Sequence, residues 1–182
     1  ALAGDLTKEP GYIDLEWIAI PADASEVQEH DLGPILGDLA KDAQEKGDDA
    51  LFQALAMIRS IRVKAYSIED GGDAETSRAV EKIADQMTQG DWKRLIYMKD
   101  GDETVSVNTK YQGEDMVGLM VVTYEPEDSV AFVNVVGDLD LGTLLGLAGK
   151  IDSDSIEDML EELEGVEGIE IDHDHDHDHD KD

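Results

Sequence analysis

The sequence predicts an α+β fold, with helices packed on one face of a mostly antiparallel sheet that ends in a C-terminal four-stranded meander. Two observations support this fold class. The first half of the chain places apolar residues at helical spacing, whereas the second half contains four apolar, β-branched runs separated by short turns. Because connectors this short can join only antiparallel neighbours, the four runs are expected to form a meander that helices then cover.

The first half contains two predicted strands with two short helices between them. Residues 12–20 alternate apolar and acidic side chains, which predicts a strand with one buried face. Residues 35–43 have helical spacing, and Asp48 is placed to cap a second short helix. Alternation returns in residues 60–68, which predict a second strand.

Short turns divide the second half. A turn at residues 70–73 precedes an amphipathic helix marked by Val80, Ile83, Ala84 and Met87, and Gly90 is placed to end it. The four apolar runs of the predicted meander then follow: residues 92–99, 104–111, 116–124 and 130–136. Beyond them, residues 141–151 are predicted to form an apolar helix and residues 155–163 an acidic one.

Charge and hydrophobicity divide the chain into one α+β domain, residues 1–151, and an acidic extension, residues 152–182. The chain has 45 acidic and 14 basic residues, which gives a formal net charge of −31. This charge repels nucleic-acid backbones and anionic membrane surfaces, so no nucleic-acid partner is expected. Cationic partners, metal ions or a salty medium are favoured, and an acidic surface adapted to a saline habitat is the alternative explanation.

The composition also bears on location. Cysteine is absent, which excludes disulfides, thiolate metal sites and a cysteine nucleophile. The first residues, Ala1-Leu2-Ala3, resemble the small-residue end of an export signal, so we expect a secreted or periplasmic protein, the cell surface included. No apolar run approaches the roughly 18 to 20 residues that span a bilayer, so no membrane span is expected.

The C-terminal tail alternates imidazoles with carboxylates. Neutral imidazole nitrogens suit zinc, copper or nickel, and carboxylate oxygens suit harder cations. Two-His chelation is available to an extended tail, where every His lies on one side, and to a helical tail, where His residues pair at four-residue spacing. The tail is therefore predicted to bind divalent metal through His173, His175, His177 and His179, with Asp172, Asp174, Asp176, Asp178 and Asp180 as auxiliary ligands. The alternatives are a solvated acidic tail that binds metal adventitiously, and a purification tag, although tags are usually unbroken His runs.

Other carboxylates favour structural roles. Asp138 and Asp140 follow a predicted strand and could together hold calcium, but Asp140 at a helix start is better explained as a cap. Asp100 and Asp102 flank a glycine between two predicted strands, which is first of all a hairpin turn. The acidic residues of 152–158 lack the spacing of an EF-hand calcium loop.

The sequence contains no recognisable catalytic motif. His30 is the single imidazole outside the tail, and it lies among acidic residues, as surface histidines commonly do. No Ser-His-Asp order, phosphate-binding glycine loop or His-Glu zinc helix is present. We therefore expect a protein that is not an enzyme.

Several segments resemble a bacterial family known as domain of unknown function 4252. The similarity covers roughly residues 11–150, and the residues that carry it are those of 12–20, 60–63, 92–100 and 133–141, the last reading VNVVGDLDL. The resemblance implies an exported or lipid-anchored bacterial protein with no established activity. Many members carry a lipidated N-terminal cysteine, which this chain lacks, so the resemblance favours a freely secreted or periplasmic form.

The sequence predicts two alternative functions. The first is a non-enzymatic exported bacterial protein that binds divalent metal through its His-Asp tail. The alternative is a subunit of an extracellular filament or other homopolymer, linked by metal or by its termini and sheet edges. At −31 per subunit, close packing of copies would need cations or salt to offset repulsion.

Overall fold

The computed structural model describes residues 5–68 and 73–148, and within them six strands form one antiparallel sheet in the order β1-β2-β6-β5-β4-β3. The strands are β1 (Ser25–Asp31), β2 (Ile58–Ser67), β3 (Trp92–Asp100), β4 (Glu103–Gln112), β5 (Asp115–Glu125) and β6 (Ser129–Leu139). The helices are α1 (Leu36–Glu45), α2 (Asp49–Met57), α3 (Asp73–Gln86) and α4 (Leu141–Ala148). The α+β class and the predicted four-stranded meander, β3 to β6, are confirmed.

The meander forms where turn residues separate β-branched runs. Gly101 between β3 and β4 has a φ of 59°, and Gly113 between β4 and β5 has a φ of 68°, a region that glycine enters without steric strain. Tight turns of this kind join antiparallel neighbours. The strand predicted at residues 60–68 is also confirmed as β2. It pairs with β6, the last strand of the meander, and not with β3, the strand that follows it in the chain.

The strand predicted at residues 12–20 is wrong, because this segment crosses the sheet instead of joining it. Leu15 and Ile18 are buried three residues apart, and the Ile18 amide donates to the Leu15 carbonyl at 3.1 Å, which is a turn rather than an extended strand. The buried ammonium of Lys64 in β2 donates to the carbonyls of Leu15 (3.0 Å) and Ile18 (2.9 Å). Its third partner is Glu29 at 3.1 Å, so this lysine anchors the crossing segment to the sheet.

The side-chain amide of Asn134 in β6 fixes the start of the same segment. Asn134 is fully buried; its Oδ1 accepts from the Ile13 amide at 2.9 Å, and its Nδ2 donates to the carbonyls of Gly11 (3.0 Å) and Leu119 (3.1 Å). Gly11 lies against Gly118 of β5 so closely that a Cβ on either residue would collide with the backbone of the other. The pair of glycines therefore permits a backbone-to-backbone contact that side chains would prevent.

The prediction that helices pack on one face of the sheet is wrong. On one face, Val130 and Phe132 of β6 share a core with Ile83 of α3. On the other face, Val135 of β6 packs with residues of α1 and α2, among them Leu36. Both faces can be covered because residues 130–136 are almost continuously apolar, a pattern typical of a strand buried on two sides.

Helices α1, α2 and α4 begin at or near the positions that the sequence predicts, whereas α3 begins at Asp73, a residue predicted to lie in a turn. The Asp48 carboxylate caps α2 by accepting from the Leu51 amide at 3.1 Å, as expected. On α3, the Thr76 hydroxyl is hydrogen-bonded to the Tyr66 hydroxyl of β2 at 3.0 Å, and burial raises the pKa of Tyr66. The apolar helix predicted at 141–151 is described as α4 up to Ala148, and the acidic helix predicted at 155–163 lies outside the described residues.

The strand register places residues in rows across the sheet. One row lies on the face covered by α1 and α2 and runs from one edge to the other through His30, Val63, Val133, Val121, Val107 and Ile96. The adjacent row lies on the α3 face and runs through Glu29, Lys64, Phe132, Val122, Ser106 and Tyr97. Both rows end on β3, where cover by the described helices is least.

Candidate binding surface

Strand β3 is an edge strand with an unusual amount of exposed apolar surface. Its exposed large hydrophobic residues form one continuous stretch: Leu95 (46% exposed), Ile96 (43%), Tyr97 (47%) and Met98 (60%). An edge strand presents one row of backbone donors and acceptors that its own sheet does not use. Exposed apolar side chains next to such a row favour pairing with another extended chain.

The two faces of β3 differ in chemistry. Arg94, Tyr97 and Lys99 lie on the α3 face, whereas Ile96 and Met98 lie on the opposite face. A register shift between Arg94 and Ile96 explains why positions 94 and 97, three residues apart, share a face. Strand β3 therefore presents Arg94 and Lys99 on one side and Ile96 and Met98 on the other, where the Lys93 ammonium lies over the ring of Tyr111.

A groove of about 610 Å³ lies along the side of Arg94 and Lys99, between α3 and strands β3 to β5. Val80 and Glu81 of α3 line one wall, Tyr97 and Lys99 line the outer rim, and Asn108 of β4 lies at the base. The groove forms because the apolar stripe of α3 packs over the centre of the sheet, in the core around Phe132. The outer strands β3 and β4 are left beside the helix rather than beneath it.

The base of the groove contains a buried polar atom without a partner. Asn108 is 1% exposed, and its Nδ2 donates to the Ser106 hydroxyl at 2.7 Å. Its Oδ1 has no hydrogen-bond partner among the residues that the structure describes. Buried amide oxygens are nearly always paired, so this atom marks a position where a donor from outside would be stabilised.

Two basic residues of β3 have aromatic partners instead of carboxylates. The Arg94 guanidinium lies 4.3 Å from the ring centroid of Tyr97, and the Lys93 ammonium lies 4.9 Å from that of Tyr111. Within residues 5–68 and 73–148, no carboxylate lies within 4.0 Å of Lys93, Arg94 or Lys99. Glu81 and Asp102 also line the groove, but they form no ion pair with these cations in the described chain, so Arg94 and Lys99 can accept an anionic partner.

The opposite edge of the sheet has the features that usually protect an edge. Strand β1 reads SEVQEHD, and its pairing with β2 is irregular between Ser25 and Gln28. Glu26 has a φ of 49°, which further bends the strand. Charges and a bulge both disfavour strand addition, so β3 is the edge better suited to a partner.

Asp140 has the structural role that the sequence predicts. Its Oδ1 accepts from both the Thr143 hydroxyl and the Thr143 amide at 2.7 Å, and so caps α4. These two hydrogen bonds hold the pKa of Asp140 below its ordinary value, and the bond from the Thr143 hydroxyl has the larger effect. Asp138 instead forms an exposed ion pair with Arg59 at 3.3 Å.

The remaining candidates for metal ligation do not converge in the described part of the chain. Asp100 and Asp102 flank the β3–β4 turn as predicted, with Asp102 on the groove rim. His30 lies in β1 beside Glu29, whose carboxylate contacts Lys64. Residues 5–68 and 73–148 contain no group of three or more His, Asp or Glu side chains placed to hold a metal. The tail ligands predicted at residues 172–180 lie outside the described residues.

Sequence reasoning identified β3 as a strand but did not identify it as a binding surface. The signal was present in the run WKRLIYMK, where three basic residues surround four apolar ones in a strongly acidic chain. Recognising it requires the strand order, because only an edge position exposes such a run. No helix in the described part of the chain combines the length and apolar character needed to cross a bilayer.

In the described part of the chain, fold and surface together define an α+β protein with a six-stranded antiparallel sheet, helices on both faces and an edge strand with exposed apolar residues. The chain belongs to the family described as Domain of unknown function (DUF4252), whose model matches residues 22–144. The resemblance noted in the sequence is confirmed; the match contains residues 60–63, 92–100 and 133–141 and begins after 12–20. No curated protein and no solved structure matches the chain.

Proposed function

We propose that this protein is a non-enzymatic, exported bacterial binding protein that associates with another polypeptide by strand addition at β3, as the subunit of an extracellular filament or other homopolymer. The observation that supports this proposal is the exposed apolar stretch from Leu95 to Met98 on an edge strand. Backbone hydrogen bonds along such an edge supply affinity, and alternate side chains on the two faces supply selectivity.

The chemistry of β3 specifies the kind of polypeptide. Carboxylates on alternate residues of an added strand would meet Arg94 and Lys99, whereas apolar side chains on the intervening residues would meet Ile96 and Met98. An acidic, alternating segment therefore fits, and a basic one is repelled. Between whole subunits at −31, salt or cations must reduce long-range repulsion before the short-range contacts form, since charges are screened over about 8 Å at physiological ionic strength.

Charge reversal on β3 tests this function in the full chain. Arg94→Glu combined with Lys99→Glu should keep the protein monomeric under the salt and metal conditions in which the unaltered chain assembles. Light scattering measures the molar mass, and electron micrographs show whether filaments form. Lys41→Glu changes an exposed residue of α1 and serves as the matched control, because it adds negative charge away from β3. Isolated particles of the unaltered chain at every salt and metal concentration would contradict the proposal.

A second function rests on the sequence of the tail. Four histidines alternate with aspartates over residues 172–180, and this composition supports binding of zinc, copper or nickel, with calcium left to the carboxylates. Binding would weaken as the pH falls through about 6.5, where histidine becomes protonated and loses its lone pair. Metal that bridges two tails would also link subunits, so this function is compatible with assembly.

Isothermal titration with zinc, copper and nickel tests the tail. Replacing the four tail histidines with Asn should abolish binding to the imidazole-preferring metals, and His30→Asn, which removes the imidazole of β1, is the control. Retention of full affinity by the four-fold variant would exclude the tail as the metal site. Calcium binding that survives the four-fold variant would assign calcium to carboxylates alone.

A further inference from the structure

The geometry points to residues 169–180 of a second copy as the strand that binds β3. This inference rests on the proposed assembly function and names the partner. The segment reads IEIDHDHDHDHD, and it is long enough to cover the nine residues of β3. The two chains would then form a head-to-tail contact, in which each subunit offers a tail and accepts one.

The alternation of the segment matches the two faces of β3. In an extended strand successive side chains point to opposite faces, so the even-numbered residues of 169–180, all acidic, share one face. On that face they would lie opposite Arg94 and Lys99, the cations without a carboxylate partner in the described chain. The complementarity holds for parallel and antiparallel addition alike, because a period of two is unchanged by reversal.

The odd-numbered residues fit the other face. Ile169 and Ile171 would share the face of Ile96 and Met98, which are 43% and 60% exposed. Covering exposed apolar side chains with two isoleucines is favourable by about 25 cal/mol for each Å² removed from water. The histidines would follow on this same face, beyond the isoleucines, and their nitrogens would remain in one row.

A second β3 strand is a poorer occupant. Pairing two copies of Trp92–Asp100 edge to edge would bring the three basic residues of one copy, Lys93, Arg94 and Lys99, next to those of the other. Like charges placed opposite each other in a sheet are destabilising. The acidic tail has the opposite sign, and its pairing builds an open chain of subunits rather than a closed dimer, since donor and acceptor surfaces differ.

Complementation between two full-length variants tests the inference. Each variant is named for the surface that is altered in it. The acceptor variant carries Arg94→Glu and Lys99→Glu on β3, and its tail is intact. The donor variant carries Glu170→Gln, Asp172→Asn and Asp174→Asn in the tail, and its β3 is intact. Each variant alone should be monomeric by light scattering, whereas an equimolar mixture should form a heterodimer of twice the monomer mass. Formation of the heterodimer in the mixture also demonstrates that both variants are folded. As a control, the Lys41→Glu chain should assemble as the unaltered chain does.

The outcomes separate this inference from the function on which it rests. If the donor variant assembles as the unaltered chain does while the acceptor variant does not, β3 binds something other than the tail, and only the inference falls. If the acceptor variant assembles normally, the proposed function falls with it. A monomeric unaltered chain under all conditions, or a mixture that stays monomeric, also overturns the inference; a chain whose own tail occupies β3 would give this result.

Discussion

Asn134 and Gly11 are 123 residues apart in the chain, and the buried amide of the first donates to the carbonyl of the second at 3.0 Å. Together with the bond from the Ile13 amide, this contact attaches the N-terminal segment to the central strand of the sheet. Asn134→Ala should lower the free energy of unfolding by roughly 2–4 kcal/mol, because it leaves buried backbone groups without partners. Urea denaturation followed by circular dichroism measures the change.

Asn108 is the matched control for Asn134, since both are buried asparagines on central or near-central strands. Asn108 makes one hydrogen bond in the described structure, to Ser106, and its Oδ1 is unpaired. Asn108→Ala should therefore lower the stability less than Asn134→Ala does. Equal losses for the two variants would show that the bonds to Gly11 and Ile13 contribute little.

The contact between Gly11 and Gly118 predicts that glycine-to-alanine substitutions change the stability by very different amounts at different positions. Gly118→Ala should destabilise the protein by about 2–4 kcal/mol, because the added Cβ collides with the Gly11 backbone rather than with a flexible side chain. Gly37→Ala in α1 meets nothing within 4 Å and should stabilise the helix by up to about 1 kcal/mol. Thermal melts of the two variants compare them directly, and a neutral Gly118→Ala would contradict the close packing.

The cap on α4 predicts a pH dependence. The pKa of Asp140 is held below its ordinary 3.8 in the folded protein, so its stabilisation is fully present above that value and is lost as the pH falls through the lower, folded pKa. Asp140→Asn should lower the melting temperature at pH 7, and the difference from the unaltered chain should shrink below pH 3.8. Thr143→Val removes the hydroxyl hydrogen bond, which is the largest cause of the lowered pKa, and should therefore raise the pKa of Asp140. A carboxyl NMR titration measures this change.

The exposed apolar residues predict which edge drives association. Met98→Lys on β3 should reduce self-association, because it places a charge in the apolar face without touching the core. Val27→Lys on β1 changes a residue with 46% exposure on the other edge strand and should leave association unchanged. Both variants should stay within about 0.5 kcal/mol of the original stability. A stronger effect from Val27→Lys, measured by light scattering, would assign association to β1.

Local patterns predicted the second half of the chain well. Four β-branched runs joined by short turns determine an antiparallel meander, because the pairing partners are sequence neighbours. The same reasoning failed at residues 12–20, where the alternation of Ile13 and Leu15 with acidic residues resembles a strand. What places this segment across the sheet is the set of contacts made by Lys64 and Asn134, and those partners are distant in sequence.

The sheet order explains why the candidate surface was harder to predict than the strand that carries it. Residues 92–99 are recognisable as a strand, but whether that strand lies at an edge depends on where β2 pairs. Strand β2 pairs with β6, so β3 remains at the end of the sheet, and this distant pairing leaves no local signal. The tail ligands were proposed from spacing alone and stay a prediction.

The place of β6 between β2 and β5 also sets the order in which the molecule can be completed. A chain that emerges from the ribosome N-terminus first delivers β1 and β2 long before residue 129. Neither they nor the β3–β5 hairpins can share a core until that final strand arrives, since β6 is the only strand that pairs with both groups among those described. Such distant pairing slows folding and leaves the earlier segments accessible to chaperones while the polypeptide is still being synthesised.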